Sequence, residues 1–283
     1  MNDTSSLNLA EQYDRDGFVF PLDVFNQTAV DDMRAELASV EKQPDADLPL
    51  KVSQLLRTNC HFVLPFVTKA ACSANLLDKV EEVLGPDILI YSAEFFIKEP
   101  QTEKIVTWHQ DLTYWGLGET DDELTAWIAL SDVTVESGCM RFVPGSHKQR
   151  IVPHQDTFDE NNLLSRGQEV AVDVDENEAV NIELKPGQVS FHHGRMFHAS
   201  GPNKSNHRRI GLVIRYVTPH VRQSGAGGYA IVARGEDKTG NWNHMPRPIA
   251  NFDAKDLEAY QRIRDEHVKV LMKNAEGTST VYG

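Results

Sequence analysis

The sequence lacks the features expected of a protein that binds membranes or nucleic acids. Its 28 basic residues are outnumbered by 42 acidic ones, which gives a formal charge of −14. Nucleic acids and anionic membranes attract basic surfaces, so neither is an expected partner. No apolar run approaches the length of a membrane span. Residues 1–10 show no basic stretch followed by an apolar core, so we expect no secretory signal.

Cysteine is also scarce. Cys60, Cys72 and Cys139 form no Cys-x-x-Cys pair and are odd in number, so a reduced, cytoplasmic location fits best. The chain shows no internal repeat, no low-complexity segment and no domain boundary. We therefore expect residues 1–283 to form one domain, a size that sheet-rich domains often reach.

Helices are predicted where apolar residues recur at helical spacing, over residues 26–43, 69–84 and 254–274. Asn26 is suited to cap the first helix, and Pro44 ends it. The dipeptide Gly85-Pro86 is a stop signal for the second helix.

Between residues 87 and 217 the pattern changes to strands. Runs of β-branched and aromatic residues, separated by Gly and Pro turns, predict strands over 88–91, 95–97, 105–111, 124–130, 139–143, 169–174, 189–193 and 208–217. Many short strands of this kind are typical of a double-sheet jelly roll or a barrel. We therefore predict a mainly β fold with flanking helices.

The run Trp108-His109-Gln110-Asp111 lies in one of these predicted strands. Successive side chains of a strand point to opposite faces, so His109 and Asp111 are expected to share one face. An imidazole and a carboxylate side by side are two of the three ligands of a facial iron(II) triad. An isolated His-x-Asp also occurs by chance as a surface hydrogen bond, so the motif needs a second histidine from elsewhere.

The third ligand is expected from the later segment that contains His192, His193 and His198. On a strand the first two point opposite ways, so at most one of them is expected to face a core. His198 stands out because Ser200 follows two residues later and Arg209 eleven residues later.

Arg209 opens an apolar strand and needs an anionic partner, because a buried unpaired charge is very costly. A guanidinium binds a carboxylate through two parallel hydrogen bonds. A cosubstrate such as 2-oxoglutarate, with one end on a metal and its far carboxylate on Arg209, has the required shape. The alternative partner is an internal acid, and Arg208 and Arg215 compete for the role.

Three motifs together resemble the phytanoyl-CoA dioxygenase family. They are Trp108-His109-Gln110-Asp111, residues 138–147 (GCMRFVPGSH), and residues 198–203 (HASGPN) followed by Arg209. The resemblance runs from about residue 14 to residue 247. The family consists of non-haem iron oxygenases, so the resemblance implies a double-stranded β-helix (jelly roll, cupin-like) with Fe(II), 2-oxoglutarate and O2 as cofactors.

The resemblance also implies a metal centre. His109, Asp111 and His198 would bind iron(II) and carry the catalysis. Halogenases that resemble the family have a small residue where Asp111 stands, so hydroxylation is favoured over chlorination.

A cofactor site is implied beside this metal centre. Arg209 would bind the distal carboxylate of 2-oxoglutarate, with Ser200 as a second contact. Lys98 and Gln110 resemble family positions near the cosubstrate, although Gln110 faces away from His109 in an ideal strand.

The expected activity is hydroxylation of a C–H bond in a small, polar metabolite, with release of succinate and CO2. A natural-product intermediate or an acyl-CoA ester is the alternative substrate. The rival functions are a non-catalytic metal-binding jelly roll and a zinc hydrolase, although a hydrolase has no need of an arginine that binds a cosubstrate. The sequence leaves open whether the chain forms a homo-oligomer.

Several side chains are candidates for the substrate pocket. Its candidate walls are Tyr114, Trp115, Trp127 and Met140, and Arg141 is a candidate contact for an anionic substrate. Ordinary packing or exposure is the alternative for each. The loops 44–58 and 155–166 are candidate lids.

Overall fold

The computed structural model describes residues 7–157, 161–164, 168–224 and 227–271. Its strands in chain order are β1 (Phe18–Asp23), β2 (Ile88–Lys98), β3 (Val106–His109), β4 (Glu123–Ala129), β5 (Met140–Phe142), β6 (His154–Asp156), β7 (Gln168–Val170), β8 (Val180–Ile182), β9 (Gln188–His192), β10 (His198–Ser200), β11 (Arg209–Val217), β12 (Gly228–Arg234) and β13 (Trp242–His244). The helices are α1 (Leu9–Asp16), α2 (Gln27–Val40), α3 (Val52–Leu56), α4 (Pro65–Ala71), α5 (Ala74–Leu84), α6 (Leu112–Trp115) and α7 (Ala254–Leu271).

Two β-sheets form the jelly roll. The larger sheet has the order β1-β9-β4-β11-β2-β12-β13, and the smaller has the order β3-β10-β5-β8. Neighbouring strands run antiparallel, except that β12 and β13 are parallel. The predicted jelly-roll fold is confirmed.

Helices cover the outer face of the larger sheet. The apolar side chains of α2, α3 and α5 form one core with that face, which includes Leu37, Leu55, Leu76, Phe95, Leu212 and Ile214. A second cluster fills the space between the sheets and includes Phe18, Trp127, Phe142, Met196 and Val213. The central strands are therefore buried on both faces, which explains their long apolar runs.

Strand β11 shows how the two faces differ. Ile210, Leu212 and Ile214 belong to the outer core. The alternate residues Arg209, Val213 and Arg215 instead line a cavity between the sheets. Side-chain alternation on one strand thus places two arginines on the inner face.

The helix predictions need two corrections. The helix predicted over 69–84 is two helices, because Cys72 and Ser73 leave the helical conformation and Ser73 has the extended backbone of an N-cap. The helix predicted over 26–43 ends at Val40, before Pro44, although Asn26 caps it by accepting from the backbone N–H of Ala29 at 2.9 Å. The last helix is described to Leu271, and residues 272–274 lie outside the described residues.

The strand predictions were right about location and incomplete in detail. The runs 88–91 and 95–97 form one continuous strand, β2. The sequence interpretation did not include β1, β6, β8, β10, β12 or β13, nor the helices α1 and α6. Most of these elements are only three or four residues long, too short for periodicity to reveal.

Within the described ranges, no helix has both the length and the apolar character that a membrane span requires. The three cysteines, Cys60, Cys72 and Cys139, are unpaired.

Gly211 allows the inner face of β11 to lie against the indole of Trp127, since a Cβ added there would overlap that ring. We predict that Gly211→Ala lowers the free energy of unfolding by about 1–3 kcal/mol, the usual cost of overpacking a core. Urea denaturation followed by circular dichroism measures the change. Gly201→Ala is the matched control, because a Cβ at Gly201 meets nothing within 4 Å. Equal stability of the two variants would contradict this view of the packing.

Candidate metal centre

Three potential metal ligands converge between the sheets. His109 ends β3, His198 begins β10, and the two are cross-strand partners. Asp111 follows β3, and one ligand atom from each of the three residues lies within 4.8 Å of the other two. Asp111 Oδ1 is 3.2 Å from His109 Nε2, and Asp111 Oδ2 is 4.0 Å from His198 Nε2. All three residues are buried.

The local geometry differs from the strand alternation that motivated the prediction. Strand β3 ends at His109, and Asp111 has a helical backbone (φ −61°, ψ −43°) at the start of α6. The chain turns there, and the backbone N–H of Leu112 donates to the carbonyl of Gly194 at 3.0 Å. The carboxylate therefore reaches His109 through a helical turn and not along a strand face.

Backbone carbonyls orient both imidazoles. Nδ1 of His109 lies 2.8 Å from the carbonyl of Thr107, and Nδ1 of His198 lies 3.0 Å from that of Met196. Because a carbonyl only accepts, each Nδ1 carries the proton and each Nε2 keeps a lone pair for a metal. Burial, together with the charge that His109 would carry, lowers the pKa of His198 to about 3, which keeps this imidazole neutral.

The Asp111 carboxyl is ionised. Burial alone would raise its pKa, but His109, His198 and the Arg215 guanidinium hold the pKa well below its usual range. Two neutral imidazoles and one carboxylate are the donor set of a facial iron(II) site. The residues present therefore fit the metal, and their assignment as iron ligands stays a prediction.

A cavity opens beside the three ligands, and its empty space of about 440 Å³ includes the solvent at its mouth. Its apolar lining consists of Phe96, Val106, Trp127, Met140, Leu164, Ala199 and Val213. Its polar lining, apart from the three ligands, consists of Thr125, His192, Arg209 and Arg215. A mostly apolar lining with a few polar groups is typical of a site for a small molecule.

Arg209 is buried in this cavity without an acid. Its side chain is 1% exposed, and Nη1 donates to the carbonyl of Gly138 at 2.6 Å. Its guanidinium carbon lies 5.4 Å from the centre of the Trp127 ring, and Nε has no hydrogen-bond partner. Among the described residues no carboxylate lies within ion-pair distance of Arg209. Burial lowers its pKa to about 10, so the group remains charged at neutral pH and fits an incoming carboxylate.

The two competing arginines do have acids. Arg208 lies at the surface and pairs with Glu41 at 2.7 Å and with Glu99 at 2.9 Å. Arg215 pairs with Glu94 on the neighbouring strand. Of these three arginines, Arg209 is therefore the one without an acid in the described part of the chain.

Lys98 and Ser200 lie next to Arg209. Lys98 is the cross-strand partner of Arg209, and its Nζ donates to Ser200 Oγ at 2.8 Å and to the carbonyl of Gly201. Burial, and then the charge of Arg209, lowers the pKa of Lys98 to about 6. The structure thus groups Lys98, Ser200 and Arg209, and their contact with a cosubstrate stays a prediction.

Gln110 has a different position. Its Oε1 accepts from the backbone N–H of Val152 at 2.9 Å, and its Nε2 donates to the carbonyl of Arg195 at 2.9 Å. The amide is fully buried and joins two loops to the end of β3. This geometry gives Gln110 a positioning part and does not support direct contact with the cofactor.

The candidate substrate contacts divide into two groups. Trp127 and Met140 line the cavity. Trp115 packs instead in an apolar cluster, and half-buried Tyr114 lies edge-on to the ring of His154. The prediction that Arg141 contacts the substrate is wrong. On β5 the side chains of Met140 and Phe142 point inward, and that of Arg141 between them points away from the cavity. It pairs with Glu176 at 2.6 Å on the outer side.

The two segments predicted as lids meet beside the cavity. Arg57, after α3, donates from Nη2 to the carbonyl of Leu163 at 2.8 Å. The next residue, Leu164, lines the cavity. Residues 158–160 and 165–166 of the second segment lie outside the described residues, so its role as a lid stays a prediction.

The sequence interpretation missed several buried polar residues around the centre. His192 lines the cavity with Nε2 4.0 Å from Asp111 Oδ2, and its neighbour His193 is equally buried. The expectation that at most one of them faces a core is therefore wrong, because protein covers both faces of the larger sheet. Thr125 and Glu94 were missed because their position depends on strand pairing.

Glu123 is a further buried acid near the centre. Its Oε1 accepts from the backbone N–H of Gly194 at 2.5 Å and lies 3.2 Å from His193 Nδ1, whereas Oε2 has no partner. Burial raises the pKa of Glu123 to about 8. The side chain is thus a neutral acid at neutral pH.

Comparisons with known proteins agree with this geometry. The phytanoyl-CoA dioxygenase family model matches residues 13–211. The chain is 32% identical over 171 residues to a probable alpha-ketoglutarate-dependent hypophosphite dioxygenase of Stutzerimonas stutzeri, with 59% of this chain and 58% of that protein covered. The chain thus spans little more than half the length of that relative.

Solved structures show the same fold. The apo form of the non-heme monooxygenase ThoJ has a TM-score of 0.85 and 33% identity, with 93% of this chain and 97% of that chain covered. The alpha-ketoglutarate-dependent epimerase SnoN from nogalamycin biosynthesis has a TM-score of 0.59 and 22% identity, with 87% and 91% covered. At that identity SnoN shows the fold alone.

We predict that Asp111→Ala lowers the affinity for iron(II) by more than about a hundredfold. Loss of a residue that only hydrogen-bonds to a ligand already lowers metal affinity by up to about a hundredfold, and loss of the ligand itself costs more. Anaerobic calorimetric titration with iron(II) measures the affinity, and circular dichroism checks the fold. His244→Ala is the control, since His244 is exposed and pairs with Asp237. Unchanged iron affinity in a folded Asp111→Ala protein would rule out Asp111 as a ligand.

The raised pKa of Glu123 predicts a pH effect on stability. The folded state keeps the proton up to about pH 8, whereas the ordinary value is 4.5. Between these values the folded state binds more protons, so this group makes the free energy of unfolding fall as pH rises. Glu123→Gln should remove that fall. Between about pH 6 and about pH 8, the free energy of unfolding of the variant should therefore rise by about 2 kcal/mol relative to that of wild type.

Urea denaturation at the two pH values measures this gain. Glu103→Gln, at an exposed position, is the control and should follow wild type. Parallel pH curves for wild type and Glu123→Gln would show that Glu123 is ionised in the folded protein.

Proposed function

This chain belongs to the phytanoyl-CoA dioxygenase family, and we propose that it is an iron(II)- and 2-oxoglutarate-dependent oxygenase that hydroxylates a C–H bond of a small, polar metabolite. The observation that carries the proposal is the uncompensated guanidinium of Arg209, which lines the same cavity as His109, Asp111 and His198. A metal site alone does not need such a group. A cosubstrate with a free carboxylate does.

The side chains have separate parts in this reaction. His109, Asp111 and His198 hold iron(II), which supplies activation of O2 coupled to oxidative decarboxylation of 2-oxoglutarate to succinate and CO2. Arg209 binds the distal carboxylate and so orients the cosubstrate toward the metal. Trp127 and its apolar neighbours exclude water from this contact, which strengthens it.

Hydroxylation is the favoured outcome for two reasons. Two relatives above 30% identity are described as a dioxygenase and a monooxygenase. Asp111 also occupies the ligand position that a halogenase leaves open for chloride. The SnoN epimerase shows that the fold also supports other outcomes, but its likeness extends to the fold alone.

The cavity favours a small substrate. The cavity must hold 2-oxoglutarate and the reacting part of the substrate together, although its empty space of about 440 Å³ already includes the solvent at its mouth. The hypophosphite dioxygenase among the relatives is named for a substrate of very few atoms. An acyl-CoA ester would have to keep most of its bulk outside this space.

Succinate production tests the proposal. Purified protein is incubated with 2-oxoglutarate, iron(II) and ascorbate, with and without a metabolite panel, and succinate is quantified. An oxygenase forms succinate, and its own substrate stimulates the formation. A binding protein or a zinc hydrolase forms none, and that result would reject the proposal.

We predict that Arg209→Ala raises the apparent KM for 2-oxoglutarate by about thirtyfold or more. Loss of one partner of a desolvated charge pair costs about 2–5 kcal/mol of binding. Arg209→Lys should recover only part of the loss, because an ammonium cannot donate two parallel hydrogen bonds. Steady-state kinetics of succinate formation measure the change, and iron affinity should stay the same.

Arg208→Ala is the matched control for this variant. Arg208 precedes Arg209 on the chain but pairs with acids at the surface. A KM defect in Arg215→Ala and none in Arg209→Ala would show that the cosubstrate binds the other arginine.

A further inference from the structure

A second guanidinium faces the cavity at the opposite end of β11. Arg215 lies six residues after Arg209 on the same face, a separation of about 20 Å along an extended strand. Its charge lowers the pKa of the Asp111 carboxyl. Arg215 therefore lies near the metal ligands, away from the end where Arg209 would hold 2-oxoglutarate.

Arg215 belongs to a buried cluster with excess positive charge. Its Nη1 donates to Glu94 Oε1 and lies 3.4 Å from Ser92 Oγ. The other oxygen of Glu94 lies 3.7 Å from Nε of Arg57. One carboxylate thus lies between two guanidinium groups, and the three side chains carry a net charge of +1.

Part of the Arg215 guanidinium is unused. Its Nε is buried without a hydrogen-bond partner among the described residues. The hydrogen bonds of the guanidinium to Ser92 and Glu94 use Nη1 and leave Nη2 out. The ring of Trp115 lies 4.7 Å from the guanidinium carbon and holds the group in place. Nε and Nη2 form the edge of a guanidinium that binds two oxygens of one acid.

A free hydroxyl is carried by the neighbouring strand. Thr125 is the cross-strand partner of Arg215 on β4, and it also lines the cavity. It is fully buried, and its Oγ1 has no hydrogen-bond partner. A buried hydroxyl without a partner is costly, so Thr125 and Arg215 together offer unused donors to one ligand.

We infer that Arg215 and Thr125 bind an oxyanion of the substrate, so that the substrate is a small molecule with one negative charge. This inference rests on the proposed oxygenase function, since the anion must lie in the cavity beside the metal. The oxyanion is a carboxylate or a phosphorus oxyanion, which present the same pair of acceptor oxygens. With the Asp111 carboxylate assigned to iron(II), the charge of the oxyanion would balance the +1 of the Arg57–Glu94–Arg215 cluster.

Calorimetric binding tests the inference on the anaerobic protein loaded with iron(II) and saturating 2-oxoglutarate, so that the Arg209 end is occupied. The probes are butyrate, its neutral isostere butyramide, and hypophosphite. At least one anion should bind at least about tenfold more tightly than butyramide. Arg215→Gln should lower the affinity for that anion by at least about tenfold. The tighter of the two anions identifies the carboxylate or the phosphorus source.

Two further variants separate recognition from a purely structural role. Glu94→Gln removes the internal competitor for Arg215, so it should tighten anion binding severalfold. A guanidinium that only holds Glu94 in place predicts no such gain. Thr125→Val should leave the guanidinium in place. It should lower the affinity for the anion severalfold. Arg208→Gln is the surface control and should bind the anions like wild type.

Any of three results overturns the inference. Butyramide binds as tightly as the better anion, or neither anion binds. In the third case an anion binds, but neither Arg215→Gln nor Glu94→Gln changes its affinity. Affinity for 2-oxoglutarate and succinate formation are measured on the same preparations. Absence of both would reject the oxygenase proposal. Succinate formation without Arg215-dependent anion binding would reject only the assignment of Arg215.

Discussion

The cavity of this protein is constrained by a buried positive charge that has no acid among the described residues. Burial of a guanidinium costs several kcal/mol even after relaxation, and the Gly138 carbonyl and the Trp127 ring face offset only part of that cost for Arg209. A carboxylate that enters the cavity relieves the remainder, so it stabilises the folded state by linkage. The same contact sets the direction of the bound molecule. Affinity and orientation toward the metal ligands thus arise from one interaction.

An inner face with so many polar groups requires stability from elsewhere, and the outer face of the larger sheet supplies it. Leu212 and Ile214 of β11 pack with the helices, whereas Arg209 and Arg215 of the same strand line the cavity. Arg209 and Arg215 are therefore carried by a backbone whose other side is anchored in an apolar core. Side chains held by such strands are positioned more precisely than side chains on loops.

The chemistry of the centre could be predicted from the sequence better than its geometry. The grouping of His109, Asp111 and His198 was expected, although Asp111 reaches the others through a helical turn and not along a strand. Arg209 could be identified because a charge that opens an apolar strand needs a partner. The outward direction of Arg141 could not, since it depends on register in strands of three residues. Nor could the Glu94–Arg215 pair, which joins strands that lie far apart in sequence.

The two cavity arginines also differ in how fully their charge is compensated, and this difference bears on their ligands. Arg209 has no acid among the described residues, so a carboxylate there gains the full charge interaction. Arg215 already shares Glu94 with Arg57, so a second anion gains less and exchanges more readily. An oxygenase consumes both molecules in each turnover, but only the cosubstrate is common to every reaction of this type. The stronger uncompensated charge, Arg209, lies at the cosubstrate end of β11. The cosubstrate is therefore held tightly, and the substrate exchanges more easily.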